Sequence, residues 1–480
     1  MTIASDPLVT SQRISTAVEA WLDAHQQAQL MIGNRWVPAQ SGKTFESINP
    51  ATENVLAHVA EADRADVDDA VKAAREAFDS GPWPRMSSHD RARVMRRFGE
   101  LLEEHADQLA ELETLDNGMT IGASKAFFKV GMESYHFFAG QATVVMGHTM
   151  PSAEGMFNYT RREPIGVVGG IIPWNAPIVS ALWKIAPAVA CGNTIILKPA
   201  EQASLTCLYL GELAIEAGFP AGVINVLTGF GPGAGSALSE HLDVDKISFT
   251  GSTEVGKLIL QASTGNLKRV TLELGGKSPN VVFADAAVEE AVPYALAAFT
   301  TLTGQACGAG SRLFVQRELK DEFVEKLAQQ VAGLKIGDPL DPATTLGPLA
   351  SREQFDRVSG YLAAGKEGGA IAKIGGEALA GGGYFVQPTI FDGVDNSMRI
   401  AREEIFGPVL SVIPFSDEDD AVFQGNDTTY GLGASVWTRD VSRAHTIAHR
   451  LKAGMVWVNT YLELDPTMPL GGFKIGRAHV

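Results

Sequence analysis

Cysteine is scarce in this chain. The 480 residues hold three, Cys191, Cys207 and Cys307, too few and too scattered for a disulfide framework, and that usage suits a reducing compartment and a cytoplasmic address. H-E-x-x-H, paired C-x-x-C and calcium-loop spacings are missing and the ten histidines do not cluster, so no metal site is expected. Positive charge is also short: 39 Lys and Arg stand against 56 Asp and Glu, a net charge of −17 that would repel a phosphate backbone and argues against nucleic acid as a partner. Met1 to Thr10 carries Asp6 and Pro7 with no cationic start before an apolar run, so it does not read as a secretory signal. Unbroken apolar runs of membrane length are lacking too. Pro164 to Trp183 and Ala291 to Ser311 come nearest, but Pro, Gly, Asn, Gln or several Thr interrupt them, so no membrane partner is expected and both read as buried active-site segments.

What remains is a large apolar endowment. With 45% hydrophobic and 20% charged residues, the chain can bury the core of a two-lobed enzyme. Val67, Ala70, Val71, Ala74, Ala77 and Phe78 fall on one helical face, and a second helical pattern runs from Val94 to Leu112 with Asp116-Asn117-Gly118 as its stop, so the first 120 or so residues are predicted mainly helical. Thr143 to Met150 and Ser152 to Tyr159 are β-prone around Pro151 and predict a hairpin. Beyond it, Ile165–Ile172, Thr194–Leu197, Val223–Leu227 and Lys246–Phe249 alternate with helical stretches such as Leu205–Ala217, the rhythm of a parallel sheet covered on both faces. After Gly275-Gly276 the pattern restarts: helices are predicted at Phe323–Leu334 and Phe355–Leu362, strands at Leu410–Pro414, Ala434–Trp437 and Met455–Val458. The fold class is α/β: a Rossmann-like lobe, a second α/β lobe and a small hairpin.

Several short motifs carry chemistry. Gly229-Phe230-Gly231-Pro232-Gly233-Ala234-Gly235 follows a strand and is compatible with a dinucleotide turn or an ordinary glycine-rich βα turn. Gly251-Ser252-Thr253-Glu254-Val255-Gly256-Lys257 lacks the Ser or Thr of a P-loop, because residue 258 is Leu, and Glu254 would crowd a triphosphate; a helix N-terminus facing a pyrophosphate remains. Cys307 sits among small residues, Gln305-Ala306-Cys307-Gly308-Ala309-Gly310, and is either a nucleophile with an accessible sulfur or a small core residue, whereas Cys191 and Cys207 lie in apolar runs and read as core residues. Glu273, in an otherwise apolar strand end, is either a general base or half of an ion pair. Asn175, between Pro173-Trp174 and Ala176-Pro177, is either an oxyanion donor or an Asx turn.

Together these segments resemble the aldehyde dehydrogenase superfamily, from about Ile32 to Phe473. Four signatures stand in family order: Pro173-Trp174-Asn175; Leu197-Lys198-Pro199-Ala200-Glu201; Leu272-Glu273-Leu274-Gly275-Gly276-Lys277 with Cys307 beyond it; and Glu403-Glu404-Ile405-Phe406-Gly407-Pro408-Val409. The resemblance implies oxidation of an aldehyde to a carboxylic acid through a thioester on Cys307. Asn175 and the Cys307 N–H would stabilise the oxyanion, at ~3 to 4 kcal/mol per donor, and Glu273 would activate the hydrolytic water. Lys184 matches a lysine that supports proton movement, with a surface ion pair as the alternative. For NAD, the resemblance assigns Lys198 and Glu201 to the adenosine ribose, Ser252 to the pyrophosphate, Glu404 to the nicotinamide ribose and Phe406 to the ring. Ile171, Pro173, Trp174, Gly231, Phe249, Thr250, Gly251 and Leu274 complete the implied cofactor set. Glu201 would accept a ribose 2′-OH and repel a 2′-phosphate, which favours NAD over NADP; Lys198 partly offsets this and keeps NADP as the lesser alternative.

The implied domains are 1–139 with 160–275 for NAD, 276–470 for catalysis, and 140–159 as an oligomerisation hairpin in a homodimer or homotetramer. Two departures from the pattern stand out. Thr300-Thr301-Leu302-Thr303, Ala176, Leu464 and Leu470 replace frequent aromatics or Asn, which points to a bulky aliphatic aldehyde. Lys474-Ile475-Gly476-Arg477-Ala478-His479-Val480 is what a widely used sequencing adapter encodes in one frame, so 474–480 is expected to be a non-native tail that leaves the hairpin without its partner strand. Two alternatives are weighed: a coenzyme A-acylating relative, against which Glu273 argues, and a non-catalytic dinucleotide-binding protein, which would not need Cys307, Glu273 and Asn175 together.

Overall fold

The computed structural model describes residues 8, 9 and 12–474. The expectation about the tail therefore falls, apart from Lys474, outside the described residues. Among the described residues no helix is long and apolar enough to cross a membrane.

Two seven-stranded sheets organise the chain. The first runs, edge to edge, Arg269–Glu273, Lys246–Thr250, Val167–Ile171, Thr194–Lys198, Ile224–Val226, Leu30–Ile32 and Arg35–Val37. Its first five strands are parallel and the last two form an antiparallel edge. Val167–Ile171 and Thr194–Lys198 are buried at every position, as strands covered by helices on both faces must be. The second sheet runs Ile371–Ile374, Thr389–Asp392, Val409–Phe415, Arg312–Gln316, Pro279–Val282, Gly433–Trp437 and Met455–Val458, parallel except for its first strand.

The predicted strands after residue 160 are found within two residues of their expected ends, while the helices predicted at Phe323–Leu334 and Phe355–Leu362 are Arg317–Ala332 and Arg352–Glu367, up to six residues off. The N-terminal region differs. Five short strands occupy residues 27–60, and three of them form a separate sheet, Gln27–Ala28, Val55–Ala60 and Thr44–Ile48. Most of their pairings are local, but Leu30–Ile32 also joins the first sheet through Met31, which pairs with Val226, a contact no local periodicity announces. The first predicted helix is Arg64–Asp79, closed by a capping box in which Asp63 accepts from Ala65 N and Asp66 from Asp63 N. The second divides into Ser88–Glu104 and Ala106–Asn117 at His105, whose ring bonds the Tyr209 hydroxyl at 2.8 Å; Gly118, at φ +82°, ends the pair as predicted. The hairpin is present but pairs only Thr149–Met150 with Asn158–Tyr159. Cys207 is fully buried, but the expectation for Cys191 is corrected: it follows helix Pro177–Ala190 and is exposed, because the apolar run ends with that helix.

Candidate active site

In the first sheet the chain moves outward from Val167–Ile171 to Thr194–Lys198 on one side and returns to Lys246–Thr250 on the other, which makes the carboxyl end of Val167–Ile171 a topological switch point. The register sets Ile171 beside both Lys198 and Phe249, and Thr250 beside Glu273. Four sequence-predicted segments therefore meet at one sheet end. Lys198 is buried, with Nζ 3.7 Å from Glu201 Oε2, and burial draws its ammonium below the usual lysine range. Ser252 caps helix Thr253–Ala262 by accepting from Val255 N, and Gly251 N donates to the Glu273 carbonyl at 3.0 Å. Leu274 packs on that helix, where a Cβ on Gly256 would lie 2.7 Å from its methyl. Gly231 opens a π-helical turn that continues into Ser236–Glu240.

Pro173, Trp174 and Asn175 link the central strand to helix Pro177–Ala190, which begins with proline and is buried over nearly its whole length. That helix N-terminus is held by Glu113, which accepts from Ile178 N at 3.1 Å, while Asp116 accepts from Leu205 N at 2.8 Å. Both carboxyls come from helix Ala106–Asn117, and burial pushes them up to about 8 and about 7. Lys184 is buried rather than paired at the surface. Its Nζ donates to Thr250 Oγ1 at 2.9 Å and Ser248 Oγ at 3.3 Å, and burial pulls it down to about 8 against the attraction of Glu273. Half-buried Glu273 is pushed up to about 8 by burial, with Lys184 opposing.

Cys307 lies on a loop with unusual backbone. Leu302 and Thr303, at φ +54° and +56°, precede Gly304 at +72°, a left-handed run that costs about 1 kcal/mol or more for each non-glycine residue. Fixed partners hold the loop: Gln305 Oε1 accepts from Ala350 N at 3.0 Å, Thr303 Oγ1 donates to the Gly347 carbonyl at 3.2 Å, and the Tyr461 hydroxyl donates to the Gly308 carbonyl at 2.8 Å. Asn175 Nδ2 donates to the Gln305 carbonyl at 2.7 Å, which brings the amide to the Cys307 loop. The thiol is pushed up to about 12 by burial and then by Glu404 and Glu273; the N–H groups of Gly308 and Cys307 oppose this.

Glu404 reaches across from the second sheet. Its Oε1 accepts from Gly276 N at 3.0 Å, and burial raises the carboxyl to about 7. Phe406 stands perpendicular to Trp174 with ring centroids 5.3 Å apart. The structure thus gathers Cys307, Glu273, Glu404, Asn175 and Lys184 at the join of the two sheets. Sequence reasoning missed Glu113, Asp116, Gln305 and Tyr461: each acts through backbone groups remote in the chain, for which composition carries no signal. Among the described residues no group of three or more His, Cys, Asp or Glu is placed to hold a metal ion.

Comparison with known proteins agrees with this layout. A family model described as "Aldehyde dehydrogenase family" matches residues 36–477. The chain is 47% identical to "Aldehyde dehydrogenase, cytosolic 1" of Mus musculus, over 94% of this chain and 90% of that protein. It is 48% identical to "Aldehyde dehydrogenase family 2 member B4, mitochondrial" of Arabidopsis thaliana, over 93% of this chain and 84% of that one. A solved NAD+ complex of aldehyde dehydrogenase from Bacillus cereus superposes with a TM-score of 0.95 at 45% identity, covering 98% of this chain and 96% of that structure. From the Cys307 loop to both sheets, this chain belongs to the aldehyde dehydrogenase family.

Proposed function

We propose that this enzyme oxidises an aldehyde to a carboxylic acid with NAD, with Cys307 as nucleophile. The observation that carries the reading is the meeting of the Cys307 loop with Asn175, whose amide donates to the Gln305 carbonyl, and with Gly276, which packs on the Cys307 carbonyl and donates to Glu404. The thiolate attacks the carbonyl carbon, and Asn175 Nδ2 with the Cys307 N–H stabilises the resulting oxyanion. Glu273 takes the proton from the water that cleaves the thioester, and Lys184 stabilises the ionised form of that carboxylate. These roles leave no need for coenzyme A as acyl acceptor.

The residues present fit NAD. Glu201 offers an acceptor at the switch point, the Ser252 helix N-terminus offers free N–H groups to a pyrophosphate, and Gly275 leaves room for Glu404, since a Cβ there would fall 2.1 Å from Oε2. Lys198 sits with Glu201 at the adenosine end, while Glu404, Phe406 and Trp174 hold the nicotinamide end. Ile171, Pro173, Gly231, Phe249, Thr250, Gly251 and Leu274 form the walls between them. When bound, the cofactor accepts the hydride. Glu201 favours NAD, and NADP is the lesser alternative.

The finer substrate reading is a bulky aliphatic aldehyde. It is supported by a cleft of about 430 Å³ between helices Ile121–Gln141 and Val288–Thr300, lined by Ala123, Phe127, Leu296, Ala297, Thr301 and Leu302. Leu302 and Phe127 also pack with Ala176 and Ala306, the neighbours of Asn175 and Cys307. Residues 1–139 with 160–275 are assigned to cofactor binding, 276–470 to catalysis and 140–159 to assembly as a homodimer or homotetramer, in the cytoplasm.

A stopped-flow trace of nicotinamide reduction tests the reading. A burst followed by steady turnover with a medium-chain aldehyde is expected. A burst that stalls until coenzyme A is added would overturn hydrolysis, and rates that fall steadily with chain length would overturn the bulky substrate.

A further inference from the structure

A helix outside every sequence motif holds the Glu404 segment from behind. Helix Arg352–Glu367 places two side chains, one turn apart, against three consecutive carbonyls. Gln354 Nε2 donates to Phe406 O at 2.6 Å and to Ile405 O at 3.2 Å, and the Arg357 guanidinium donates to Glu404 O at 2.8 Å. Glu404 to Gly407 lies between helix Arg399–Arg402 and strand Val409–Phe415, where neither element supplies these carbonyls with donors. Phe406 is left-handed at φ +60°, a conformation a phenylalanine keeps only when its surroundings fix it. Gln354 is buried, so its amide has no water to exchange for these carbonyls. Val358, on the same helix, would lie 2.6 Å from a Cβ on Gly407, which brings the segment against the helix.

The helix is itself anchored across the molecule. Arg352 pairs with Glu53 at 2.6 Å and lies over the Tyr384 ring, 4.8 Å from its centroid, while Gly383 N donates to the other Glu53 oxygen at 3.0 Å. The N-terminal sheet, this helix and the Glu404 segment therefore form one connected support.

We propose that Gln354 is a positioning residue for the nicotinamide end of the cofactor: by fixing the Ile405 and Phe406 carbonyls it holds the left-handed turn that aims Glu404 at the Gly276 amide and Phe406 at Trp174. The proposal rests on the reading of Glu404 and Phe406 as cofactor contacts. It assigns Gln354 no part at the adenosine end, where Lys198 and Glu201 stand.

Binding of NAD and of AMP to the full-length wild type, Q354A and the similarly shaped Q354M separates these ideas. Both variants are expected to raise the Kd for NAD about tenfold, as loss of one or two hydrogen bonds would, while the Kd for AMP stays within about twofold. The burst rate at saturating NAD falls in both, a readout that a loss of fold alone would not separate from AMP binding. Unchanged NAD affinity, or parallel weakening of NAD and AMP, overturns the proposal. A wild type that binds AMP but not NAD would overturn the cofactor reading itself and the positioning role with it.

Discussion

The Gly276 amide donates to Glu404 at 3.0 Å across 128 positions of sequence, and a Cβ on the preceding Gly275 would strike the same carboxyl. Glu404 thus depends on two glycines for opposite reasons, one for its N–H and one for the space it leaves. Gly275→Ala is expected to displace the carboxyl and raise KM for NAD by about tenfold or more, since the lost hydrogen bond has a charged partner. Measured KM values check this, and an unchanged KM would show that Glu404 does not hold the cofactor.

Turnover should climb with pH. Burial pushes Glu273 up to about 8, so its carboxylate form is the minority at neutral pH and becomes the majority above that value. Steady-state kcat with a good substrate is expected to reach half its maximum near there and to level off at higher pH. Glu273→Gln should keep the burst while lowering steady turnover by roughly 10²- to 10⁴-fold. A variant that deacylates at the wild-type rate would remove Glu273 from the mechanism.

The thiol of Cys307 should alkylate slowly without cofactor. It is pushed up to about 12, first by burial and then by Glu404 and Glu273, so little thiolate exists at neutral pH. Glu404→Gln removes a negative neighbour, lowers the thiol's pKa and should speed iodoacetamide labelling at fixed pH. Equal or slower labelling would show that Glu404 is not ionised beside the sulfur.

The two buried carboxyls of helix Ala106–Asn117 tie stability to pH. Burial raises Glu113 to about 8 and Asp116 to about 7, above the ordinary values of about 4 that an unfolded chain shows. The folded protein therefore keeps protons that the unfolded chain has released, and this contribution is fullest below about pH 4 and lost as pH rises through 7 and 8. Glu113→Gln has no proton to lose and keeps an oxygen for the Ile178 amide. Its melting temperature should fall less than the wild type's over that window; parallel curves in scanning calorimetry would contradict the assignment.

Much of the α/β core was legible because buried parallel strands are short, apolar and followed by helical periodicity, as at Thr194–Lys198 and Leu205–Glu216. The candidate site was legible as a set of positions because Cys307, Glu273 and Asn175 each break a local expectation of composition. What escaped was set by tertiary contact. The local hairpin of Leu30–Ile32 and Arg35–Val37 owes its place in the first sheet to Val226, almost two hundred residues away, and nothing in Leu302-Thr303 announces a left-handed backbone that only the surrounding loop enforces. The break at His105 was likewise hidden, since its partner Tyr209 lies on a later helix.

The hairpin near residue 150 has only two residues in each strand, yet Val144, Val145, Met146, Met150, Met156, Phe157 and Tyr159 all face outward. So few ladder bonds cannot hold a ribbon in water unaided. An assembly that covered these side chains, the role proposed for residues 140–159, would supply what the ladder lacks. Hydrogen exchange at the Tyr159 amide would act as a built-in gauge of assembly, slow in a closed complex and fast in a lone subunit.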